Sequence, residues 1–74
     1  MKTAATLHRE AFDKPRDPRS HEYKHGVLEG IKSGLGEIAD GLPYIEGTAQ
    51  ADAWLAGFDE GRHIASREKG GQHA

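Results

Sequence analysis

The stretch SHEYKHGVLEGIKSGLGE, residues 20–37, supports two incompatible readings. His21-Glu22-Tyr23-Lys24-His25 spells H-E-x-x-H, in which two histidines one helical turn apart hold zinc and the glutamate serves as base. The same stretch places Gly26, Gly30 and Gly34 four residues apart, with Gly36 just beyond. Glycine inside a helix costs roughly 1 kcal/mol relative to alanine, so a stripe of them needs an offsetting gain. One source is the close approach of a second helix or of a large aromatic ring. The alternative is a helix that is weak or broken at these positions. Gly57 and Gly61 repeat the spacing, and Trp54 and Phe58 are the large groups available to fill the groove. Close packing accounts for both sets of glycines.

The zinc reading is short of ligands. A hydrolytic site needs a third ligand and a sheltered cleft. The longer form of the motif requires Gly and His further along the helix, where this chain has Leu28 and Ile31. Both histidines are therefore expected on the first turns of a helix, with no metal and no catalytic role. His63 could join them in adventitious zinc binding. Other chemistry is equally thin. GIKSG lacks the spacing of a phosphate-cradling loop, and Ser20, Ser33 and Ser66 have no convincing base beside them. The chain is expected not to be an enzyme and to need no cofactor.

With 74 residues and no cysteine, the chain has room for one small core and no disulfide to staple it. It lacks the long apolar run of a membrane span and the hydrophobic segment of a secretory signal, so a cytoplasmic location is expected. The net charge is −2, and its distribution is uneven. No lysine or arginine occurs from 33 to 61, where Glu37, Asp40, Glu46, Asp52, Asp59 and Glu60 fall. The basic residues cluster towards the two ends.

Residues 1–16 are expected to be a mobile arm, with a short helix over 1–13 available through Leu7, Ala11 and Phe12. Asp17-Pro18 suits a helix start, since Asp caps free N–H groups and Pro tolerates the first helical position. Tyr23, Val27, Ile31, Leu35 and Ile38 then form one helical face, ending near Asp40 with Gly41 as the stop. GLPYIEGT follows as a loop of about seven residues, and Thr48 is the candidate cap of a second helix. Its stripe is Ala51, Trp54, Leu55, Phe58 and Ile64. Short connections favour antiparallel neighbours. The expected fold is all-α: two antiparallel helices over 17–68 joined by a short Pro-Tyr loop, a flexible arm before them and a disordered tail over 69–74.

Gly26-x-x-x-Gly30-Ile31, then Pro43-Tyr44, then Trp54-x-x-Gly57-Phe58 resembles the ribosome modulation factor family, together with the related CrpP-like small proteins. The match covers about residues 23–64. The resemblance implies two helices and a loop, with Gly26, Gly30, Gly34, Pro43, Trp54, Gly57 and Phe58 serving the fold. It further implies binding to the ribosome and its RNA, lowering translation in stationary phase as a hibernation factor. Phosphate contacts would then come from Lys14, Arg16, Arg19, Lys24, Lys32, Arg62 and Arg67, with Tyr44 stacking on a base. A second function fits the acidic middle better: a small adaptor or inhibitor that binds a protein through Leu42, Tyr44 and Ile45, or pairs with a second copy of itself.

Overall fold

A computed structural model describes residues 1–13 and 18–71, and within them the chain forms three helices: α1 (Ala4–Asp13), α2 (His21–Leu35) and α3 (Ala49–Gly71). The expected two-helix hairpin is thus corrected to a three-helix fold. The N-terminal segment is no free arm. Thr3 starts α1, taking the Thr6 N–H on its hydroxyl at 3.3 Å and the Leu7 N–H on its carbonyl at 3.0 Å. The Glu37 carboxylate accepts the Ala4 N–H at 3.0 Å, satisfying a further free donor of that end. Ala4 and Leu7 are buried in the core with Val27, Ile31 and Ala65. Ten residues are marginal as an isolated helix, so this burial is what holds α1. A hydrogen bond to Glu10 raises the Lys2 pKa above its ordinary value and ties the chain end to the helix.

The expected start of α2 at Asp17-Pro18 shifts to Ser20, whose hydroxyl accepts the Tyr23 N–H at 3.2 Å. Asp17 lies outside the described residues, as do Lys14, Pro15 and Arg16. The helix also stops earlier than Asp40. Gly36 takes the left-handed conformation (φ 80°), and the N–H groups of Gly36 and Glu37 return to the carbonyls of Ser33 and Lys32 at 3.2 and 2.8 Å. That closing pair of bonds satisfies two terminal carbonyls, and only glycine adopts the angle without strain. Ile38, counted in the helical stripe, consequently falls outside the helix and is 95% exposed.

The second correction is direction. Gly57 approaches Tyr23 and Val27, Gly61 approaches Val27 and Ile31, and Gly34 approaches Ala65. Contacts advance along both helices together, so α2 and α3 run parallel. The connection must then travel back along α2, which is about 22 Å long at 1.5 Å per residue. Residues 36–48 make that return, and the early stop at Gly36 supplies the chain for it. A seven-residue loop would barely reach at about 3.3 Å per residue.

The crossing is made by backbone. A methyl group on Gly26 would overlap the Trp54 carbonyl, and one on Gly30 the Phe58 carbonyl. Reciprocally, Gly57 faces the Tyr23 carbonyl and Gly61 the Val27 carbonyl. Close glycine crossings of this kind bring Cα–H groups against opposing carbonyl oxygens. The aromatic rings lie beside this seam and do not fill it. Trp54 is buried at 3% exposure and stacks on the half-buried Phe58, ring centroids 5.1 Å apart. The buried stripe of α3 is Ala51, Trp54, Gly57, Gly61 and Ala65, while Leu55 is 47% exposed.

Candidate functional site

Halfway along its return, the linker is fastened to a buried acid. Glu29 is 1% exposed, and its Oε1 accepts the Asp40 N–H at 2.7 Å. Its Oε2 lies 3.2 Å from Lys32 Nζ and 3.7 Å from His25 Nε2. A buried carboxylate is costly unless paired and hydrogen-bonded, and here both oxygens are engaged. On the far side of His25, the Trp54 indole N–H donates to Nδ1 at 3.1 Å. One chain of polar contacts therefore runs from α3 through α2 to the linker.

The two histidines of the H-E-x-x-H motif lie at this network. His21 and His25 do share a face, their rings nearly parallel at 6.5 Å. Yet His25 Nδ1 accepts the Trp54 indole N–H at 3.1 Å and Nε2 lies 3.7 Å from Glu29 Oε2, so a metal on either nitrogen would have to displace the neighbour it holds. Among the described residues no group of three or more His, Asp or Glu is placed to hold a metal ion. His63 faces Asp59 at 3.7 Å on the exposed side of α3, away from the pair.

The described basic residues singled out by the sequence have these neighbours. Lys32 serves Glu29. The Arg19 guanidinium lies 4.8 Å above the Tyr23 ring, and Lys24 Nζ lies 5.7 Å from the Phe12 ring. Arg62 and Arg67 are exposed on α3. Lys14 and Arg16 are outside the described residues. Lys69, placed in the expected tail, is in α3 and donates to the Gly34 carbonyl at 3.1 Å.

The linker carries the other group. Ile45 is 81% exposed, whereas Leu42 and Tyr44 are half-buried and Pro43 is exposed. Ile38 joins Ile45 as an exposed aliphatic residue, with exposed Glu37, Asp40 and Glu46 around them in the chain. Thr48 ends the linker as expected, its hydroxyl accepting the Ala51 N–H at 3.2 Å.

Two signals escaped the sequence reading. Glu29 looks like a solvated charge, and nothing local marks it as buried. The other signal was available: Tyr23-x-x-Gly26-Val27-x-Glu29-Gly30 recurs as Trp54-x-x-Gly57-Phe58-x-Glu60-Gly61. The two copies pack reciprocally. Each glycine faces the carbonyl of the residue three before its counterpart, and Tyr23 Oη donates to Glu60 at 2.5 Å. The repeat is the sequence signature of the parallel crossing.

No helix among the described residues is long and apolar enough to cross a membrane. No protein-family model, curated protein or solved structure matches the chain. The resemblance to the ribosome modulation factor family thus rests on the short motifs alone. With the hairpin it implied replaced by three helices, the fold lends no support to the ribosome-related expectations drawn from it.

Proposed function

We propose that this chain is a small, non-catalytic docking module of the cytoplasm whose linker, residues 36–48, receives a basic segment of a partner protein. The observation that carries the reading is the exposure of Ile38 (95%) and Ile45 (81%) on a linker that is held in place. Scattered exposed aliphatics are ordinary on any surface. Here the backbone that carries them is tethered at Asp40 by Glu29, and the Glu37 side chain accepts the Ala4 N–H at the start of α1. Such tethering lowers the ordering cost of binding. The linker's own charged residues, Glu37, Asp40 and Glu46, are all acidic, which favours a basic partner and repels acidic ones.

The test is capture by the immobilised chain, with bound proteins identified by mass spectrometry and the same extract resolved on a sucrose gradient. The expected result is a partner with a basic segment, retained at low salt, weakened as salt rises, and lost with the double variant Ile38→Lys, Ile45→Lys. Circular dichroism of that variant should match the parent, because neither side chain is packed. Capture that ignores the double variant would overturn the reading. Co-sedimentation with ribosomal subunits that is abolished by Arg62→Glu, Arg67→Glu would replace it with binding through α3.

A further inference from the structure

We propose that His25 is an acid-sensitive latch on Trp54: as neutral imidazole it holds the indole, and on protonation it releases Trp54 and pairs with Glu29. The inference goes beyond the docking reading and does not depend on it.

An indole N–H is a donor only. Its bond to His25 Nδ1 therefore requires that nitrogen to be bare, so the proton of the neutral ring sits on Nε2. At 3.7 Å from Glu29 Oε2, that Nε2–H is within ion-pair range but beyond a hydrogen bond. The ring thus spends its best interaction on Trp54 while neutral. Protonation places a second N–H on Nδ1, aimed at the indole N–H at a separation of 3.1 Å. Two donors cannot share that line, so the contact opens. The new positive charge is drawn the other way, towards a buried carboxylate one turn along α2.

The charged and titratable groups facing His25 on α2 are Glu29, 3.7 Å from Nε2, Lys32 on the same carboxylate oxygen, and His21, stacked 6.5 Å away. From α3 the facing group is Trp54, and the linker reaches the site through the Asp40 N–H on Glu29. Imidazole changes charge between pH 5 and 8, and the His25 side chain is 31% exposed, so protons have access. Trp54 is held between this bond and its stack on Phe58, at the point where α3 crosses α2. Its release loosens one side of that crossing.

Trp54 is the only tryptophan in the chain, which makes the device directly readable. The indole N–H cross-peak and Trp54 fluorescence should both shift between pH 8 and 5. The nitrogen spectrum of His25 should show a bare Nδ1 at pH 8. His25→Gln offers an amide oxygen that accepts the indole without titrating, so the transition should vanish. His21→Gln should retain it. A wild-type indole cross-peak unchanged from pH 8 to 5, or a protonated Nδ1 at pH 8, would overturn the proposal whether or not the glutamine variant folds.

Discussion

At the scale of single residues, the glycines divide by what lies opposite them. Gly30 faces the Phe58 backbone carbonyl, so a methyl group there meets an atom that cannot rotate aside. Overpacking of that kind costs about 1–3 kcal/mol, against a helix-propensity gain of roughly 1 kcal/mol. Gly30→Ala is therefore expected to lower the urea midpoint, and a larger side chain more so. Gly41 has open space and no left-handed angle. Gly41→Ala should raise stability by about 0.4–1 kcal/mol through the unfolded chain. Equal midpoints for the two variants would mean that the backbone seam is not where the helices meet. Glycine spacing leaves either a second helix backbone or an aromatic ring as the occupant of the groove, and the fold puts backbone carbonyls there. Spacing shows that a groove exists, and it carries no information on whether a ring or a carbonyl occupies it.

At the scale of elements, the end of α2 sets the course of the linker. Gly36→Ala forces a side chain into the left-handed region, which costs roughly 1–2 kcal/mol, and its expected effect is a matching drop in stability seen by thermal melting. Gly47, at φ 86°, is the other position of this kind, just ahead of α3. Helix α1 depends on side-chain burial in the same degree. Leu7→Ala removes a buried contact and should cost about 2–5 kcal/mol, with hydrogen exchange accelerating first in residues 4–13. Protection of α1 that survives Leu7→Ala would show that its end caps alone hold it. These boundaries were poorly legible because Gly36 and Gly41 are equally good stops in sequence. The choice went to the one whose carbonyl partners, Ser33 and Lys32, were already helical.

For the molecule as a whole, Glu29 ties the linker to α2, and His25 beside it carries the contact on to Trp54 of α3. Removing its carboxylate leaves the Asp40 N–H without its acceptor and the Trp54–His25 contact without its neighbour. Glu29→Leu should cost about 1.5–3 kcal/mol, the usual worth of a hydrogen bond to a charged group. The linker should then become the first site of limited proteolysis. Cleavage elsewhere, with 36–48 still resistant, would show that the linker is held by other contacts.

Much of this architecture follows from sequence alone. Apolar period, glycine spacing and the Thr48 cap specify the two long helices, because those signals act over one or two turns. The same local signals made a helical stripe of Leu55 and Ile38, which the fold leaves exposed. Helix direction, the docking of α1 and the burial of Glu29 were decided only in three dimensions. Each depends on residues far apart in the chain meeting: glycines against carbonyls 28 positions away, as Gly26 meets Trp54, and a linker returning on its own helix. Such pairings are settled by what the whole molecule can bury and hydrogen-bond at once, a sum that no single segment contains.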